Sequence, residues 1–152
     1  MNRNFIFVFI LLAALSLVNA RPHELRKRTI TFGQCPNFDG PVFDVTISPD
    51  PVVAGASVIF TVSGTLKNDI VETTQLTISF VKPNGSPLET TYSRPICSDS
   101  GDVKCPIKAG TKFTTTATVT PPGTLPNPYG IAVVIFEPPR NVLGCAFAGV
   151  GS

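Results

Sequence analysis

Phe43-Asp44-Val45-Thr46-Ile47-Ser48-Pro49-Asp50-Pro51 is the stretch on which the fold turns. Apolar side chains fill every second position, Asp44, Thr46 and Ser48 fill the others, and a double proline breaks the run. Successive side chains of a strand point to opposite faces, so this period of two describes a strand with one buried face. Proline lacks the N–H a ladder needs, so Ser48-Pro49-Asp50-Pro51 predicts a connection.

The same pattern recurs along the chain. Val58, Phe60 and Val62 alternate with Thr61 and Ser63, with Ile59 as the exception. Leu76, Ile78 and Phe80 alternate with Thr77 and Ser79. Phe113, Ala117 and Val119 share one parity, and Thr114, Thr116 and Thr118 the other. Ile131-Ala132-Val133-Val134-Ile135-Phe136 is apolar on both parities, which predicts a strand covered on both faces or one at a partner surface. Lys82-Pro83-Asn84-Gly85-Ser86 sets Asn-Gly between two extended runs, the signal for a type I′ hairpin. Pro121-Pro122-Gly123, Pro126-Asn127-Pro128 and Pro138-Pro139 mark further connections. Helical periodicity is absent. The expectation is an all-β domain of seven or eight antiparallel strands, a sandwich or barrel.

The chain opens with a different kind of segment. A basic Arg3, the apolar run 5–17 and Val18-Asn19-Ala20 have the layout of a secretory signal peptide, assigned to residues 1–20. Residues 21–28, ending in Arg26-Lys27-Arg28, read as a propeptide or a basic arm that stays on. The body is then 29–152. The whole chain has 12 Lys+Arg and 10 Asp+Glu. The body keeps seven of the basic and nine of the acidic residues, a formal charge of −2. That balance gives no basic surface for nucleic acid. His23 is the only histidine and lies outside the body, which removes His-dependent triads and most zinc sites. Without histidine, no unperturbed side chain of the body titrates between about pH 6 and 8, so function is expected to be flat there.

Four cysteines in a secreted chain predict two disulfides, with three pairings open. The short polar loop between Cys97 and Cys105 favours Cys97–Cys105, which leaves Cys35–Cys145. Closing a loop of about 100 residues contributes about 4–5 kcal/mol in the chain-entropy model.

No sequence signature of an enzyme is present: no Gly-x-Ser-x-Gly elbow, no phosphate-binding glycine loop, no paired histidines. No cofactor or metal is expected. Asp99 and Asp102 flank Ser100-Gly101, but an oxygen-ligated cation needs about six ligands, so a solvated loop is the simpler reading. Asp44 and Asp50 read as surface residues. Asn84-Gly85-Ser86 is also a glycosylation sequon, with Pro87 against its use. Lys104, Lys108 and Lys112 read most simply as surface lysines. The aromatic inventory fits a solid core or two splayed sheets around an apolar ligand, since both require the same alternation.

Several landmarks, in order, resemble the ML lipid-recognition domain family. They are Phe32-Gly33-Gln34-Cys35, Val45 to Pro51 with a turn at Gly55, Cys97, Cys105-Pro106-Ile107 with Lys108-Ala109-Gly110, the apolar run 131–136, and Cys145. The resemblance spans about residues 30–150. Ser-Pro-Asp-Pro is closer to the family's fungal phosphatidylglycerol/phosphatidylinositol transfer proteins than to its Niemann-Pick type C sterol transporter, whose additional small-loop disulfide is missing here. The family's disulfide pairing agrees with the one favoured by loop length.

The resemblance implies an immunoglobulin-like β-sandwich of two antiparallel sheets with a lipid cavity between them. It implies a secreted protein that holds phospholipid or sterol and exchanges it between membranes by transient contact. Its expected address is extracellular or the vacuolar-lysosomal lumen, and its expected state a monomer. The rivals are a lipid sensor that does not transfer and a closed adhesion sandwich. The inward parity assigns as cavity liners Val45, Ile47, Phe60 and Val62, then Leu76, Ile78 and Phe80, then Phe113 and Val119, then Ile131, Val133 and Ile135. Tyr92, Leu125 and Tyr129, near strand ends, are assigned to the cavity mouth.

Overall fold

Alternating β-branched and aromatic residues, punctuated by proline and glycine, form seven strands among the described residues. They are β1 (Asp44–Ser48), β2 (Val58–Thr65), β3 (Gln75–Val81), β4 (Tyr92–Pro95), β5 (Lys112–Val119), β6 (Tyr129–Glu137) and β7 (Asn141–Val150). The structure, a computed structural model, describes residues 29–89, 91–97 and 103–151. Residues 1–20, assigned to a signal peptide, the segment 21–28 and the loop carrying Asp99 and Asp102 lie outside the described residues.

All pairings are antiparallel. One sheet has the order β1-β2-β5 and the other β4-β3-β6-β7. Register sets which side chains meet. Val45 faces Val62, Ile47 faces Phe60, and Phe60 faces Ala117 in the first sheet. Leu76, Ile78 and Phe80 face Ile135, Val133 and Ile131 in the second. These residues form one core between the layers, and Ile47 is the one among them only half-buried. The layers touch through aromatic edges: Phe60 meets Phe80 with ring centroids 6.4 Å apart at 76°. Phe43 meets Phe113 at 6.0 Å and packs onto Gly144, where no Cβ would fit.

Two expectations are revised. The 82–86 hairpin is a type I turn rather than I′. Gly85 N–H donates to the Lys82 carbonyl (2.8 Å), and only Gly85 has positive φ (84°). Pro83 explains this, because its fixed φ suits the first central position of a type I turn. Asp50 is not a plain surface residue. It is half-buried and accepts the Ile30 N–H at 3.1 Å, tying the start of the body to the β1–β2 connection. The doubly apolar strand β6 is central in its sheet, and its second face is half-buried, with the Phe147 ring lying over Gly130.

The two long edges of the sandwich close differently. On the β7–β1 side, Gly33 and Phe147 exchange backbone hydrogen bonds of 2.8 and 2.9 Å. There Cys145 N–H donates to the Pro41 carbonyl at 3.1 Å, and Cys35 is bonded to Cys145 with Cα atoms 5.8 Å apart. On the β4–β5 side, the Arg94 side chain of β4 reaches across to Thr115 and Thr116 of β5. One end of the sandwich is closed by the Ile70–Ile107 backbone pair (2.9 and 3.0 Å), Gly110 N–H to the Leu66 carbonyl (2.8 Å) and the Cys97–Cys105 disulfide.

Candidate functional site

The opposite end of the sandwich carries a pocket between its loops. There β3 runs into the 82–89 hairpin, and β5 into the proline-rich crossing toward β6. These two loops bound a pocket of ≈ 720 Å³ lined by Leu88, Pro122, Leu125 and Pro126, with Lys82, Pro83, Asn84, Glu89 and Thr124 around them. Proline supplies rigid apolar surface without an N–H to satisfy, which suits a greasy rim exposed to water. Leu88 and Leu125 are half-buried and pack against the edge of the interlayer core, and none of the twelve residues assigned as cavity liners borders the pocket.

Behind the rim stand aromatic rings. Phe80 is 6.4 Å from Tyr129, and Phe60 closes on Phe80 from the other sheet. Burial, and secondarily the nearby Asp50 carboxylate, raises the Tyr129 phenol above its ordinary value. Tyr129 also borders a neighbouring pocket of ≈ 410 Å³ with Phe147, Gly130 and Pro36.

Of the residues assigned to a mouth, Leu125 lies at the pocket. Tyr129 is buried beside Phe80, one layer deeper. Tyr92 is elsewhere: it begins β4 opposite Ile78, faces inward and is half-buried along the β4–β5 edge. The twelve residues assigned as liners lie together on the facing sides of the two sheets. Sequence reasoning missed Leu66, Ile70, Ile96, Val103 and Leu143, which sit in connections or in a run without alternation and complete the core. It also missed Arg94. The signal for it was Thr115, a polar residue at an inward position among Phe113, Ala117 and Val119. Such a residue needs a buried partner.

The three lysines lie away from the pocket. Lys112 begins β5, whose eight residues span about 26 Å before the pocket is reached. Lys104 and Lys108 lie beside it near the Cys97–Cys105 bridge. Lys108 is held by Asp69 at 2.8 Å, which leaves it poorly placed for a ligand at the mouth. Hydrogen bonding from Lys108, then from the Ala109 N–H, lowers the Asp69 carboxyl below its ordinary value.

Comparison with known proteins fits this architecture. A family model described as the ML domain matches residues 29–145. The crystal structure of chicken MD-1 complexed with lipid IVa is similar at 19% identity, covering 79% of this chain and 87% of that one, with a TM-score of 0.51. A Niemann-Pick type C2 protein from Japanese carpenter ant is similar at 18% identity, covering 78% and 96%, with a TM-score of 0.55. At these identities the likeness is one of fold. No curated protein matches the chain.

Proposed function

Since this chain belongs to the ML-domain family, we propose that it is a secreted carrier that holds a phospholipid or a sterol between its sheets and exchanges it between membranes. The observation that carries the reading is the ≈ 720 Å³ mainly apolar pocket at the end of the sandwich, whose Leu88 and Leu125 pack against an interlayer built of aliphatic and aromatic side chains. Tails enter beside Leu88 and Leu125 and take the place of contacts such as Phe60–Phe80. The assigned liners from Val45 to Ile135 are then the residues the tails touch.

The mechanism is partition rather than reaction. A buried methylene is worth about 0.8 kcal/mol in a bilayer or in a dry pocket, so transfer between the two is nearly balanced. The protein shields the tails during passage through water. A body charge of −2 favours brief contact with anionic membranes over lasting adhesion. Two disulfides suit an oxidising compartment. Cleavage after residue 20, the fate of 21–28 and a monomeric state belong to the same proposal.

The direct contact of Phe60 with Phe80 between the layers favours a second reading, a closed sandwich that takes no ligand. Native mass spectrometry of protein secreted from a eukaryotic host, followed by extraction and lipid identification, separates the two. A stoichiometric lipid adduct supports the carrier. A bare mass that persists after incubation with mixed liposomes sinks it. Liposome-to-liposome transfer then distinguishes a carrier from a protein that binds lipid and presents it in place.

A further inference from the structure

The inward-facing row of β4 carries more information than its length suggests. Residues directly opposite on neighbouring strands share a face. Leu88 N–H bonds the Phe80 carbonyl at 2.8 Å, Tyr92 lies opposite Ile78, and Arg94 lies opposite Leu76. From the pocket inward the row therefore runs apolar, amphipathic, cationic, over about 13 Å of strand. Arg94 is half-buried. Its guanidinium donates to Thr115 Oγ1 at 2.8 Å, to the Thr116 carbonyl, and to the Pro95 carbonyl at 3.3 Å. All three acceptors are neutral. Among the described residues no carboxylate pairs with it, and the one ion pair is Lys108–Asp69. A guanidinium has five donors in a planar fork suited to phosphate, and a half-buried one without a counter-charge gains by meeting an anion. Thr115, fully buried in an otherwise apolar row of β5, supplies a hydroxyl at the same point.

We propose that Arg94, steadied by Thr115, recognises the anionic phosphate of a phospholipid whose tails lie between the sheets, and so sets a preference for acidic phospholipids over neutral lipids. This inference rests on the carrier reading. The row places the phosphate at the β4–β5 edge and the tails toward Leu88 and Leu125.

The test compares uptake of dioleoyl phosphatidylglycerol with uptake of dioleoylglycerol, which has the same tails and no phosphate. Both are offered in otherwise identical phosphatidylcholine vesicles to the full chain and to Arg94→Gln. The variant is expected to stay folded and to melt somewhat below the parent, since the buried Thr115 hydroxyl loses its partner. Its phosphatidylglycerol-to-diacylglycerol uptake ratio is expected to fall about tenfold or more, the scale of losing a charge-assisted hydrogen bond. Arg94→Met, which keeps the apolar stem, is read in the same way where glutamine leaves the fold unstable.

An unchanged ratio overturns the inference. So does a parallel fall for both lipids, which marks Arg94 as a structural tie alone. A parent protein that takes both lipids without preference overturns it and leaves the carrier reading standing. A parent that takes neither overturns both. Excess glycerol 3-phosphate separates the sources of the anion: displacement of bound phosphatidylglycerol by it would show a site for free phosphate esters and overturn the lipid assignment.

Discussion

Replacing Cys35 and Cys145 by alanine removes the longer of the two covalent loops, and the cost follows from chain length. The bonded cysteines are 110 residues apart, against 8 for Cys97 and Cys105. The chain-entropy relation gives about 4.8 kcal/mol for the long loop and about 2.6 kcal/mol for the short one, a gap of about 2 kcal/mol. Packing works in the same direction. Cys35 and Cys145 are both buried, whereas Cys97 and Cys105 are half-buried, so the long-loop pair also leaves the larger defect. The Gly33–Phe147 backbone pair remains and holds the native geometry, so the loss falls mainly on the unfolded side of the equilibrium. Urea unfolding of Cys35→Ala/Cys145→Ala and of Cys97→Ala/Cys105→Ala, each extrapolated to water, measures the gap. The reasoning is refuted if the short-loop double variant loses as much stability as the long-loop one.

Three further substitutions have defined outcomes. Val133 is fully buried between Ile78 and Ala146. Val133→Trp therefore blocks lipid uptake with the fold intact if tails use that space; in a permanently solid core it instead costs about 1–3 kcal/mol of stability, read by melting and uptake together. Gly144→Ala puts a methyl onto the Phe43 ring and against Leu66, so denaturant unfolding is expected to show a loss of about 1–3 kcal/mol. The Asp69 carboxyl is lowered in the folded protein, so its contribution is present above the unfolded carboxylate value and is lost as pH falls through the lowered folded value. The melting difference between parent and Asp69→Asn is accordingly small at neutral pH, since the pair is exposed, and vanishes in acid.

The layered fold was legible because each inner face repeats one simple rule. The period of two placed Phe60, Ile78 and Val133 on facing sides before any strand was paired. The connections were less legible. Ile70 and Ile96 carry no period, and their burial depends on which loops meet at the closed end. The turn at 82–85 differs in type from what Asn-Gly alone predicts because the ring of Pro83 dictates the geometry. Arg94 escaped because β4 is a four-residue edge strand, too short for alternation to declare itself. Its inward position is set by register with β3, a long-range property. Tyr92 was placed at the mouth by its nearness to a strand end, whereas its pairing with Ile78 sets it along the edge.

The unequal fastening of the two long edges has a mechanical consequence. The β7–β1 edge, with its disulfide and main-chain bonds, acts as the spine of a book; the β4–β5 edge is its free margin. Any separation of the sheets is then a rotation about the spine rather than a parallel lift, and displacement grows with distance from it. Phe43, which packs onto Gly144 of β7, moves least, while Tyr92 and Arg94 sweep the widest arc. Under the carrier reading, such a hinge would open through an angle set by the thickness of its guest, wider for a fused ring system than for a single thin chain.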